Sequence, residues 1–164
     1  MNEKIADFAR QEVGKFYHGY VCGTEANLHE IIKYFPAWDL RRWDNHWGAA
    51  FVYHCCALAK FPLDVRFYDS QVSYSFANTK AWEQWAMLPE VNRFEEYVTG
   101  MNLEPGDIIL VDSVFEGVLQ DRIGIILEDR EDYLLVAEGN FNNISAIVTR
   151  KKDNHIRAVI HMNN

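Results

Sequence analysis

Between Trp47 and Phe61 the chain offers almost no polar position on any side of a helical wheel: Trp-Gly-Ala-Ala-Phe-Val-Tyr-His-Cys-Cys-Ala-Leu-Ala-Lys-Phe. A helix that is apolar all round belongs in the middle of a domain, so residues 43–61 are predicted to form a buried central helix. Asp44 and Asn45 offer oxygens to its first free N–H groups, Pro62 ends it, and Gly48 lies in its N-terminal turn. Upstream, Ile5, Phe8, Ala9, Val13 and Phe16 approach the i, i+3, i+4 spacing of an amphipathic helix over residues 3–16. Residues 17–42 are irregular, with a short helical segment over 25–34. Residues 62–74 read as a connection. Another helix is predicted over 78–88, where Trp82 and Trp85 share a face. Residues 90–103 carry no decisive period.

The character of the chain changes at Pro105-Gly106-Asp107, which is turn chemistry followed by the β-forming run Ile-Ile-Leu-Val at 108–111. Further strands are predicted at 121–128, 132–138, 144–149 and 155–161, with Glu128–Asp132 as a polar hairpin connection. Helices first and an antiparallel meander second is the α+β order. Alternation along a strand places Arg122, Gly124 and Ile126 on one face, and Leu134, Val136 and Glu138 on one face of the next strand. Where those faces coincide, Arg122 and Glu138 are within reach of each other as an ion pair.

Composition narrows the function classes. The 164 residues, 49% hydrophobic and 14% aromatic, suffice for one sizeable core, so a single domain over 1–164 is expected. A net charge of −8 argues against a nucleic-acid partner, and Arg150-Lys151-Lys152 reads as a solvated basic turn. The first residues have no apolar signal-peptide core, and no stretch reaches the roughly 18 apolar residues of a membrane span. No membrane partner and a cytoplasmic location are therefore expected; the oligomeric state is left open. Three cysteines make no disulfide framework, and Cys55 and Cys56 are expected to be reduced thiols in the core. Histidines 18, 29, 46, 54, 155 and 161 form no close ligand set, even with His46 and His54 placed on the central helix. Neither a metal nor another cofactor is expected.

Trp47-Gly48-Ala49-Ala50-Phe51-Val52 resembles the Trp-Cys-Ala-x-Phe-Val motif that opens the core helix of CHAP domains, the cysteine- and histidine-dependent amidohydrolases and peptidases of the papain-like superfamily. Pro105-Gly106-Asp107-Ile108 is similar to their Pro-Gly-Asp-Ile segment, Asp121-Arg122-Ile123-Gly124-Ile125-Ile126 to their Asp-His-Val-Gly-Ile-Val strand, and Glu138-Gly139-Asn140 to their Glu-Gly-Asn. The resemblance runs from about residue 5 to residue 160. It implies a papain-like α+β fold, with the nucleophile position at Gly48, the base at Arg122, the orienting carboxylate at Glu138 and a further polar partner at Asn140.

Glycine has no nucleophile, and a guanidinium does not exchange protons near neutral pH. The resemblance thus implies a CHAP-like pseudoenzyme without intact catalytic residues. Its residual cleft, at Trp47, Gly48, Arg122, Glu138 and Asn140, would serve to bind a peptide, a cell-wall-type fragment or a protein partner. The alternative is an active cysteine amidohydrolase or peptidase whose nucleophile has moved, with Cys22, four residues after His18, as the candidate. Cys55 follows Gly48 by about two helical turns, roughly 10 Å, and cannot serve the same attack point. A third class is an inhibitory or structural protein that uses its acidic surface to occupy a basic partner.

Overall fold

The computed structural model describes residues 2–21, 24–35, 46–63, 75–115 and 118–163. Over these residues the architecture is α+β. Four helices, α1 (Asn2–Val13), α2 (His29–Ile32), α3 (Gly48–Leu58) and α4 (Thr79–Met87), precede six strands: β1 (Phe94–Glu96), β2 (Ile108–Phe115), β3 (Val118–Asp129), β4 (Tyr133–Phe141), β5 (Ile144–Lys151) and β6 (Ile156–Ile160). They form one sheet in the order β1-β6-β2-β3-β4-β5, and every neighbouring pair is antiparallel. The four strands β2 to β5 are the expected meander. The last strand returns to the free edge of β2, and β1, from the stretch without a decisive period, pairs outside it.

The helices cover one face. Ala50, Phe51, Cys55 and Cys56 of α3 pack with Ile108, Leu110, Ile123, Ile125, Ala137, Ala158 and Ile160 of the sheet, with Ile5 and Ala9 of α1, and with Trp82 and Trp85 of α4. The central helix therefore exposes no residue fully, with Gly48, Tyr53, Ala57 and Leu58 half-buried and the rest buried. The opposite face carries a smaller apolar cluster, Ile109, Val111, Ile126, Leu134, Val136, Ile156 and Val159, with Leu103, Met101 and Tyr97 from the connection after β1. Residues of alternating parity along β2, β3 and β4 thus enter two different clusters, which fixes the face of every strand residue.

Both ends of α3 differ from the sequence expectation. Helix α3 begins at Gly48, with Trp47 (φ −115°, ψ 9°) at the cap position and no side-chain cap hydrogen bond. Asp44 and Asn45 lie outside the described residues, and His46 precedes the helix rather than riding on it. At the other end the helix stops at Leu58, and Lys60 turns into the left-handed region (φ 57°) before Pro62. At the start of the sheet, Gly106 (φ 94°) turns the chain against the first residue of α1; a Cβ there would lie 2.1 Å from the Asn2 carbonyl oxygen. Asp107 holds the turn, its carboxylate accepting from the backbone N–H groups of Glu104 (3.1 Å) and Met162 (3.0 Å).

Candidate functional site

The first turn of α3 rests on β3 and β4. Gly139 of β4 comes so close that a Cβ on it would lie 2.7 Å from Phe51 Cβ, 3.1 Å from Gly48 Cα and 3.1 Å from the Trp47 ring. Trp47 is fully buried, and its indole N–H reaches Asn143 Oδ1 at 3.4 Å. The Asn143 amide in turn donates to the Tyr20 carbonyl, tying the segment after α1 to the same corner. Among the described residues Gly48 has space in front of it: an added Cβ would touch only Ile123 Cγ2, at an ordinary 3.8 Å. The position that the motif resemblance matches to a nucleophile is sterically open toward the described residues, and the described side chain facing it is aliphatic.

Strand parity then separates the residues that the motif resemblance joins. Ile123 pairs with Leu110, and both belong to the cluster under the helices. Arg122 pairs with Val111, which belongs to the cluster on the opposite face. The β2–β3 register runs without a shift from Ile108 to Phe115, so nothing rotates Arg122 back toward α3. Gly48 and Arg122 lie on opposite sides of the sheet.

Arg122 and Glu138 do share a face, since a Cβ on the intervening Gly124 would meet Glu138 Cγ at 2.8 Å, but they are not an ion pair. Glu138, 3% exposed, is held by Arg150 of β5 through two bonds, Nε to Oε1 at 2.7 Å and Nη2 to Oε2 at 2.8 Å. Arg122 instead donates from Nη1 to the Asn140 carbonyl at 3.1 Å. The expected pairing is replaced because β5 brings a second arginine to the only buried carboxylate that the described part of β4 offers. Of the residues assigned to one cleft, the structure groups Trp47 with Gly48 on the helix side, and Arg122 with Glu138 and the Asn140 backbone on the other.

The described thiols bring no replacement nucleophile to α3's first turn. Cys55 and Cys56 are fully buried, and burial pushes both thiols upward in pKa, away from a reactive thiolate. Cys22 lies outside the described residues. No group of three or more His, Cys, Asp or Glu side chains suited to a metal ion occurs among the described residues. Above Ile123 on the helix side, Asp112 and Asp121 stand opposite each other, and Arg157 spans them and Glu83 of α4 at 3.3, 3.6 and 2.7 Å. These carboxylates are satisfied by the arginine between them.

The polar feature that pattern reading passed over is beneath α3. Glu12, 2% exposed, accepts from the Tyr17 hydroxyl at 2.7 Å and from Lys15 at 2.7 Å; His54 Nε2 lies 2.9 Å from the same carboxylate, and His54 Nδ1 lies 3.1 Å from the Tyr34 hydroxyl. The signal was present: Glu12 continues the buried stripe of Ile5 and Ala9 on α1, and a carboxylate on a core-facing stripe requires partners.

No protein-family model matches the chain, and neither the curated proteins nor the solved structures include a match to it.

The parity has a measurable consequence. A Gly48→Cys variant is expected to fold, and its alkylation-rate profile against pH is expected to be unchanged when Arg122→His is added. An imidazole across the sheet cannot share a proton with that thiol. A plateau at acidic pH that arises only in the double variant would place residues 48 and 122 on the same side.

Proposed function

We propose that this chain is a CHAP-like, papain-like domain that has lost amide-hydrolysing chemistry and serves to bind a peptide, a cell-wall-type fragment or a protein partner. The observation that carries the reading is the first turn of α3: Gly48 stands open where the motif has its cysteine, and aliphatic Ile123 is what faces it. Acyl transfer through a thiolate needs a nucleophile, a base within hydrogen-bond reach and a group that orients the base. Gly48 supplies none of these, and the carboxylate and guanidinium of the matching motifs point to the other face. The mixed fold with a buried central helix on an antiparallel sheet is compatible with the papain-like reading, and the order of the motifs at 47–52, 105–109, 121–126 and 138–140 along the sequence supports the family assignment, while the placement of Arg122 and Glu138 across the sheet from Gly48 does not.

The test pairs turnover with retention. Incubated with peptidoglycan and with model peptide amides, the chain is expected to release no product above buffer, while co-sedimenting with the polymer or retaining one of the peptides. Product formation that disappears in Cys22→Ser would overturn the reading in favour of a displaced nucleophile. Absence of both turnover and retention would overturn the binding function.

A further inference from the structure

The face of the sheet turned away from the helices carries an arginine whose hydrogen-bonding capacity is largely unused. A guanidinium has five N–H donors in a rigid fork. Arg150 spends its donors on both oxygens of Glu138, and Arg157 is shared among three carboxylates. Arg122 is half-buried between Val111 and the end of β4, and its single partner among the described residues is the Asn140 carbonyl, with no carboxylate in reach. In a chain of net charge −8 that is an unusual state for an arginine.

Its neighbours define what could occupy the fork. Glu138 touches the Gly124 position beside Arg122 and is neutralised by Arg150, so the group of Arg122, Glu138 and Arg150 carries one net positive charge that no carboxylate among the described residues pairs with. Phe141, next along β4 after Asn140, lies under the Arg150 guanidinium at 6.0 Å. The parity of β5 puts Arg150 on this same side, because its neighbours across β4 are Leu134 and, two pairs on, Val136.

We propose that Arg122, beside the Glu138–Arg150 pair, is a carboxylate-binding site for an acidic peptide group on the sheet face opposite α3. One net charge matches a monoanion, and the planar fork matches two carboxylate oxygens. A phosphate dianion would meet the Glu138 carboxylate with a charge that nothing compensates. The source of the carboxylate is either a Glu or Asp side chain or a peptide C-terminus. The site stands independently of the CHAP-like reading, because it uses none of the chemistry expected at Gly48.

The experiment follows the Arg122 side-chain Nε–Hε resonance by NMR while three probes are added: acetate, an N-acetylated C-amidated peptide with one glutamate, and a peptide with a free C-terminus and no acidic side chain. Acetate and at least one peptide are expected to shift the resonance saturably, and the better peptide identifies the source. With binding followed on neighbouring backbone amides, Arg122→Gln is expected to weaken it at least tenfold, and Arg122→Lys to weaken it several-fold, since an ammonium keeps the charge but not the fork. Both variants should stay within a few degrees of the wild-type melting temperature, as Arg122 contributes one part-buried hydrogen bond. No saturable shift with any probe would overturn the proposal, as would unchanged affinity in Arg122→Gln. Equal affinity for inorganic phosphate would overturn the assignment to carboxylates.

Discussion

Glu12→Leu is expected to destabilise the protein by about 3 kcal/mol, the scale on which stranding the partners of a buried charge is felt. The carboxylate is the common acceptor for Tyr17, Lys15 and His54, and two of those three are themselves buried. Leucine fills the volume and satisfies none of them. Lys15 can turn to water, since its side chain is 58% exposed, but the Tyr17 hydroxyl and the His54 ring cannot. For a chain of this size about 3 kcal/mol corresponds to a melting temperature lowered by roughly 10 °C, and denaturant midpoints give an independent measure. A loss below about 1 kcal/mol would mean that the network contributes little to the fold. Lys15→Ala is the contrasting variant, with an expected change within about 0.5 kcal/mol.

The same network gives the pH dependence its sign. Burial lowers the His54 pKa, more than the Glu12 hydrogen bond raises it, so the ring folds neutral. With Nε2–H donating to Glu12 and Nδ1 accepting from the Tyr34 hydroxyl, the neutral ring is fully satisfied. Burial raises the Glu12 pKa, but hydrogen bonds from Lys15, Tyr17 and His54 outweigh it and leave the carboxyl below its usual range. Both groups bind protons more readily in the unfolded chain, so both make stability fall as pH falls. The His54 contribution begins to be lost below its ordinary value of about 6.5, and the Glu12 contribution below about 4.3. The upper step is expected to vanish in His54→Asn, and its persistence would assign it to another histidine.

Gly139→Val is expected to cost about 3 kcal/mol or more, at the upper end of what overpacking does. The obstacle is not the far end of a flexible side chain: Phe51 Cβ and Gly48 Cα move only if α3 itself moves. Lifting α3 off β4 would loosen Trp47 and Phe51, both fully buried. Gly48→Ala is the instructive counterpart. It meets only Ile123 at ordinary contact distance and removes a glycine from a helix, so it is expected to be neutral or stabilising by up to about 1 kcal/mol. Comparable losses for the two substitutions would show that α3 does not approach β4 as described.

The buried central helix, the amphipathic α1, the tryptophan-bearing α4 and the strands after Pro105 could all be read from the sequence, because each depends on a local period of apolar residues and that period survives folding. Composition likewise determined that Cys55 and Cys56 are core thiols, since a helix without a polar face leaves them nowhere else to go. The order of the sheet could not be read: β6 joins the far edge of β2, and three-residue β1 beyond it is too short to show a period.

Side-chain partnership was the other thing that sequence left undecided. The motif resemblance set Gly48, Arg122 and Glu138 in one cleft, but a strand residue's face depends on the register of its neighbours. Val111 opposite Arg122 and Leu110 opposite Ile123 put the arginine on the side away from α3. Arg150, twelve residues after Glu138, claimed its carboxylate because β5 folds back along β4. Glu12 and His54, 42 residues apart, meet because α1 and α3 pack on the same sheet face. Local pattern fixes which residues must be buried; pairing between distant polar groups is settled when whole elements dock, since only then is each buried charge brought within reach of its partner.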